Sequence, residues 1–180
     1  MASLNDNLFT ILVNNLNTSE FAGVLHTRWG RLKIIIRSNG IEAMNFEMDI
    51  DSKHDDYDSA FQRAFLIWLR TFEDMSPTKQ WNYLAPLGTD FQRLIWRTLL
   101  EIPIGEQYSY QQIANRVGQP GASRAVGSAI AANSIALLIP CHRVVLSTGS
   151  PGNYRWGADR KRALIETEQL RNITLHQLFE

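Results

Sequence analysis

This 180-residue chain has one cysteine, Cys141. A lone cysteine makes no internal disulfide, and it excludes the multi-cysteine frameworks of small secreted domains and zinc ribbons. No run of apolar residues is long enough to cross a bilayer. Residues 1–6, Met-Ala-Ser-Leu-Asn-Asp, lack the basic-then-apolar order of a signal peptide. A cytoplasmic, reducing location with no membrane partner is therefore expected. Internal repeats and low-complexity segments are missing too. Net charge is +0, but the zero hides a division. Residues 1–86 hold 8 Lys/Arg against 11 Asp/Glu, and residues 87–170 hold 9 against 6. The positive balance of the second half is compatible with a polyanion partner, and equally with chance variation in solvated charge.

What is present is an ordinary apolar content of 44%, enough for a real core. The first third reads as strands. Phe21–His26 and Leu32–Arg37 are separated by the turn signal Arg28-Trp29-Gly30-Arg31. Ser38-Asn39-Gly40 is a hairpin turn, because Asn-Gly accepts positive φ at low cost. Ile41–Ile50 alternates, with Ile41, Ala43, Asn45/Phe46, Met48 and Ile50 mostly apolar and Glu42, Glu47 and Asp49 between, and the three segments read as an antiparallel meander. Asp51–Asp58 reads as a loop. Tyr57–Phe72 has helical period, with Phe61, Ala64, Phe65, Trp68 and Leu69 on one face. Pro77, Pro86 and Gly88 mark residues 76–88 as a linker. The expected domains are 1–86, an N-terminal α/β domain with its linker, and 87–180.

The second half reads as helices. Thr89 or Asp90 caps a helix over about Phe91–Leu100, with Phe91, Leu94, Ile95 and Leu99 inward. Ser109 and Gln112 form a capping box for a second helix that ends at Gly118. After Gln119-Pro120-Gly121-Ala122 comes a third, Ser123–Ala132. Helix, short glycine-containing turn, helix is the pattern of a helix-turn-helix. The helix after the turn carries one long polar side chain, Arg124; the rest is small or apolar. A helix that reads bases in the major groove carries several long polar residues. This one suits either tight packing in a core or close approach to a minor groove.

The chemistry centres on Ile139-Pro140-Cys141-His142-Arg143-Val144. A thiol buried among apolar residues is inert, whereas one beside an imidazole and basic groups can become a thiolate. Cys141 is a core cysteine or a nucleophile on this evidence. A catalytic imidazole needs a third group to orient it, and Glu101, Glu106, Asp159, Glu166 and Glu168 are all available. Asn133 is a helix-terminating residue or part of the site. Tyr110 is a packing residue or an exposed aromatic for stacking.

The motif Pro140-Cys141-His142-Arg143-Val144 resembles the active-site motif of the O6-alkylguanine-DNA alkyltransferases. Ser109-Tyr110-Gln111-Gln112, Arg124-Ala125-Val126-Gly127, Asn133, Gly152-Asn153-Tyr154 and Arg160–Ile165 with Glu168 resemble that family at matching spacing. The resemblance covers about residues 87–170. It implies an α+β protein, with a strand-rich, ribonuclease H-like N-terminal domain and a helical, winged-helix-like C-terminal domain. It implies single-turnover transfer of an alkyl group from O6-alkylguanine in double-stranded DNA to Cys141, after flipping of the base through the minor groove. O4-alkylthymine stays open as a second substrate. By the resemblance His142 is the base, through a water, and Glu168 orients it. Asn133 shapes the turn before the nucleophile, and Tyr110 helps rotate the phosphate and protonate the leaving guanine. Arg124 fills the gap in the stack, with Gln111, Gly127 and Ser128 also at the DNA. Val144, Tyr154, Arg155 and Lys161 line the base pocket. No cofactor and no metal are implied, since the cysteines of the zinc-binding relatives are missing, and a monomer is expected. The alternative reading is a helix-turn-helix regulator without chemistry.

Overall fold

A computed structural model describes residues 20–47, 59–171 and 173–179. They fall into two compact units, one within Met1–Ala85 and Leu175–Glu180, the other within Pro86–Thr174. The last residues thus group with the first unit, although chain order had assigned them to the second. The expected features at residues 1–6, 51–58, Met48 and Ile50 lie outside the described residues. Helix and sheet are mixed. No helix among the described residues is long and apolar enough to cross a membrane.

The first unit is built on an antiparallel meander. Strands β1 (Glu20–Thr27), β2 (Gly30–Arg37) and β3 (Gly40–Phe46) lie in that order. The β2–β3 turn is Ser38-Asn39, and Gly40 follows at φ 133°. A Cβ at Gly40 would lie 2.7 Å from the Tyr83 carbonyl oxygen, so the close approach of that segment requires glycine. Leu32, Ile34 and Ile36 alternate into the core as their period-2 pattern dictates. On β3 the expected alternation fails. Ile36 pairs with Ile41 and Ile35 with Ala43, so Glu42 is an extra residue in a bulge. One inserted residue flips the side-chain parity. Met44 and Phe46 are therefore buried, and Ala43 is not.

Helix α1 (Ser59–Glu73) packs an aromatic ladder against this sheet. Phe61, Phe65, Trp68, Leu69 and Phe72 are buried, and Phe21 on β1 meets Phe61 with ring centroids 4.7 Å apart. Residues 76–88 are not wholly a linker. Pro77–Trp81 forms a short helix, α2, with proline in its first turn, where the missing N–H costs nothing. The C-terminal segment closes the unit. Phe179 packs on Phe65 at 5.5 Å, and His176 bonds Glu73 through its backbone N–H at 3.0 Å and its Nδ1 at 2.6 Å.

The second unit begins with α3 (Asp90–Leu99), capped by Thr89 and Gln92. Its inner face is Ile95, Trp96 and Leu99. Leu94, expected inside, is 44% exposed, because Trp96 rather than Leu94 anchors the face. Then come β4 (Tyr108–Ser109), α4 (Tyr110–Arg116), α5 (Ser123–Ala131), a 3-10 turn at Cys141–Arg143, β5 (Val144–Val145) and α6 (Ala158–Arg171). The Ser109–Gln112 capping box is formed, and Gly118 follows α4 at φ 72°. The last carbonyls of a helix lack intrahelical partners. The Ala129 carbonyl on α5 is met by the buried Trp96 indole N–H at 2.8 Å, which ties α3 to the small-residue helix. Trp96→Phe should therefore destabilise the second unit by about 1–3 kcal/mol. Chemical denaturation followed by circular dichroism measures this.

Candidate active site

Residues 135–145 are buried without interruption, so the chain delivers Cys141 to the interior. Pro140 precedes it at φ −80°, ψ 58°, and the Arg143 N–H donates to the Pro140 carbonyl at 3.0 Å, closing the 3-10 turn. A turn is what lets neighbouring residues serve one site, since in extended chain they would point apart. Directly after it, β5 pairs in parallel with β4, Tyr108 opposite Val144 and Ser109 opposite Val145. That ladder brings Tyr110, the first residue of α4, beside the nucleophile.

Helix α6 supplies the carboxylate. Lys161, Leu164, Ile165 and Glu168 are all buried, an inward stripe at helical spacing with a charge at each end. Glu168 Oε1 lies 2.9 Å from His142 Nε2. Arg143 donates to the same carboxylate from Nε (3.0 Å to Oε2) and Nη2 (3.0 Å to Oε1), and from Nη1 to the Ile102 carbonyl at 2.6 Å. The Gly105 N–H adds a fourth donor at 3.3 Å. Burial pushes the Glu168 carboxyl up, but the charges and hydrogen bonds of His142 and Arg143 outweigh it and hold its pKa at about 2. An ionised carboxylate only accepts, so His142 Nε2 carries the hydrogen. Nδ1 is left with its lone pair and makes no hydrogen bond to the protein. Burial lowers the His142 pKa against the pull of Glu168, so the resting imidazole is neutral.

The thiol is also neutral at rest. Burial raises its pKa; the Asn133 hydrogen bond and the Lys161 charge oppose that. Asn133 Nδ2 lies 3.1 Å from Cys141 Sγ. Lys161 donates to the Asn153 carbonyl at 3.3 Å, and burial lowers its pKa to about 8, so it carries its charge at neutral pH. Burial, then the charge of Cys141, raises the pKa of Tyr110 and drives that of Tyr154 well above 10, which keeps both hydroxyls protonated.

Cys141 stands at the wall of a cavity of about 570 Å³. Among the residues expected at the DNA or in the base pocket, Tyr110, Arg124, Gly127, Ser128, Tyr154 and Arg155 line it. Three do not. Gln111 bonds Asn115, the Pro120 carbonyl and Ser123, so it braces the turn between α4 and α5. Val144 is fully buried in β5, and Lys161 lies behind the wall, acting on the thiol by its charge. The sequence reading missed Arg143. It counted that residue among the basic groups near the thiol, whereas its guanidinium turns to Glu168. Leu146 and Asn153 also line the cavity; Asn153 stands in the Gly152-Asn153-Tyr154 motif, whereas Leu146 carries no signal in the sequence.

The family described as 6-O-methylguanine DNA methyltransferase, DNA binding domain, matches residues 90–170. The methylated-DNA–protein-cysteine methyltransferase of Mycobacterium tuberculosis is 52% identical over 93 residues, 52% of this chain and 56% of that one. The bifunctional transcriptional activator/DNA repair enzyme Ada of Escherichia coli is 54% identical over 81 residues, 45% of this chain and 23% of Ada. The match thus spans about half the length of the mycobacterial relative, and less of Ada. The Mycobacterium tuberculosis OGT structure in complex with DNA aligns with 33% identity and a TM-score of 0.66, covering 87% of this chain and 98% of that one. An O6-methylguanine-DNA methyltransferase from the archaeon Pyrococcus kodakaraensis shares the fold, with 20% identity and a TM-score of 0.60 over 84% of this chain and 99% of that one. The chain belongs to the O6-methylguanine-DNA methyltransferase family.

Glu168→Gln leaves Arg143 a buried, half-paired cation and should destabilise the second unit by about 3–5 kcal/mol. A carboxyl held below its ordinary 4.5 stabilises the fold above that pH and loses the contribution as pH falls toward about 2. Urea titrations between pH 6 and pH 2 should show that acid loss in the wild type, with a smaller slope in the variant.

Proposed function

We propose that this protein repairs O6-alkylguanine in double-stranded DNA by moving the alkyl group to Cys141, once per molecule. The observation that carries the reading is a cavity that ends on a buried thiol backed by His142, Glu168, Asn133 and Lys161. His142 Nδ1 takes the thiol proton, relayed by a water. Glu168 stabilises the imidazolium, and Asn133 and Lys161 stabilise the thiolate. The sulfur attacks the alkyl carbon in line, the S–C bond forms as the C–O6 bond breaks, and the guanine leaves with a proton from Tyr110. The product is a thioether that no thiol exchange reverses.

An alkyl group on O6 lies inside the base stack, so the base must leave it. The exposed face of α5 supports a minor-groove approach. Arg124 is its one long side chain, and Ala125, Ser128 and Ala131 are small and exposed. That face lacks the long polar residues a sequence-reading regulator needs. In this reading residues 87–170 do the chemistry, α4, its turn and α5 are a helix-turn-helix in a winged-helix-like unit, and the first unit is ribonuclease H-like. The three-stranded antiparallel sheet backed by α1 is what supports that last assignment.

Incubation with DNA bearing labelled O6-methylguanine should add one methyl mass to the Cys141 peptide and nothing to Cys141→Ala. An unmodified peptide with the lesion intact sinks the proposal. Arms with O6-benzylguanine and O4-methylthymine define the substrate range. Arg124→Ala should slow repair in duplex DNA by about 10–100-fold, because the unstacked site loses its filler, and leave reaction with free O6-alkylguanine base near the wild-type rate. Equal losses on both substrates remove Arg124 from the flipping step.

A further inference from the structure

Between α5 and Cys141 lies the only non-glycine residue with positive φ among the described residues, Leu137 at φ 65°. Few L residues adopt that backbone, because Cβ then crowds the following carbonyl. Leu137 is fully buried, so neither solvent nor a polar side chain accounts for it. The Leu138 N–H donates to the Ala136 carbonyl at 2.7 Å, which makes this a γ-turn of the rare, strained hand. Three residues on, the Cys141 N–H donates to the Ile139 carbonyl at 2.8 Å about Pro140, a γ-turn of the common hand.

The two turns fold the chain back on Asn133. Its Nδ2 lies 3.1 Å from the Ile135 carbonyl, 3.3 Å from the Ile139 carbonyl and 3.1 Å from Cys141 Sγ. The Ile135 N–H donates to Oδ1 at 3.0 Å, which fixes the orientation of the amide. An amide nitrogen has two hydrogens, so three acceptors compete for two donors. Both carbonyls hold a second donor, the Ile139 N–H at 3.3 Å on Ile135 and the Cys141 N–H on Ile139. A thiolate attracts an N–H more strongly than a carbonyl does. It can therefore claim one from Asn133 without stranding a buried carbonyl.

We propose that the left-handed turn at Leu137 is a positioning device for the Cys141 thiolate. It brings the Ile139 carbonyl back to Asn133 and the Ile139 N–H onto the Ile135 carbonyl, while the turn about Pro140 satisfies the Ile139 carbonyl, so that the amide is free to turn to the sulfur when the proton leaves. Leu137 is thus a positioning residue, acting through Asn133. The proposal rests on the reading of Cys141 as the acceptor.

The test compares Leu137→Ala and Leu137→Gly with Leu138→Ala and Leu138→Gly in the full chain. Leu138 is buried next door without positive φ. The readouts are thermal melting and the pH–rate profile of Cys141 S-alkylation by iodoacetamide, followed by mass. Glycine enters the left-handed region freely, so Leu137→Gly should melt above Leu137→Ala and alkylate within about threefold of the wild-type rate. Leu137→Ala should be slower by about tenfold, with its profile displaced to higher pH, because the reacting group is misplaced. At 138 alanine should melt above glycine, and both profiles should keep the wild-type midpoint. Equal profiles for Leu137→Ala and Leu137→Gly overturn the proposal. If Leu137→Ala does not fold, Leu137→Asn and Leu137→Gln replace the pair. Asparagine tolerates positive φ and glutamine does not, so asparagine should give the more wild-type profile, and an equal or reversed order overturns the proposal. Iodoacetamide needs no DNA. Loss of methyl transfer from DNA with this pattern intact therefore counts against the proposed function and not against the turn.

Discussion

The second unit depends on one buried carboxylate. Glu168 on α6 accepts from His142 and Arg143, two successive residues of the turn that starts at Cys141, and from the Gly105 N–H. Taking a carboxylate out of water costs several kcal/mol, by order of magnitude, and only near-complete pairing offsets it. Arg143 supplies the opposite charge and donates from Nη1 to the Ile102 carbonyl. The ion pair therefore fastens helix, turn and the loop after α3 together. Burial keeps His142 neutral, and the bond to Glu168 leaves it hydrogen-bonded on one side and open on the other, as a general base requires.

The electrostatics of the cluster follow from that pairing. Arg143 and Lys161 set two positive charges against the one of Glu168 in a buried region. Moving the thiol proton to His142 changes no net charge, and the remaining positive balance favours the thiolate once it forms. At rest burial prevails, and the thiol stays protonated. A buried, neutral thiol with its base in place is protected from casual oxidation and alkylation, because the thiolate is the reactive form. The cavity fits the same logic. The small residues of α5 leave it open toward the sulfur, and the Trp96–Ala129 hydrogen bond holds that helix in place.

Much of this was legible in the chain. The hairpin turn signalled by Ser38-Asn39-Gly40, the capping boxes at Thr89 and Ser109 and the small-residue helix are local signals, written in contiguous residues. The inward face of α1 could be read from its spacing. What went astray went astray for nonlocal reasons. The bulge at Glu42 reversed the parity of β3, because the pairing of β2 with β3, and not the β3 sequence, decides where an extra residue goes. Leu94 faces out because Trp96 found a carbonyl on another helix. Arg143 looked like a partner for the thiol because it is two residues away, yet its side chain runs to α6.

By itself the sequence determined which groups could do chemistry: one thiol, an imidazole beside it, an amide eight residues before and five candidate carboxylates, among which the family resemblance pointed to Glu168. It did so because residue type and local period are properties of the chain. Only the tertiary structure decided what those groups do to one another. Burial makes the thiol and the imidazole neutral, and the Arg143 ion pair makes Glu168 the carboxylate that counts. The left-handed turn at Leu137 lies between Asn133 and two of its acceptors, the Ile139 carbonyl and Cys141 Sγ. The ion pair depends on residues 25 apart in sequence, the turn on a backbone conformation that the packing around Leu137 holds, and the neutrality on how little water reaches the thiol and the imidazole.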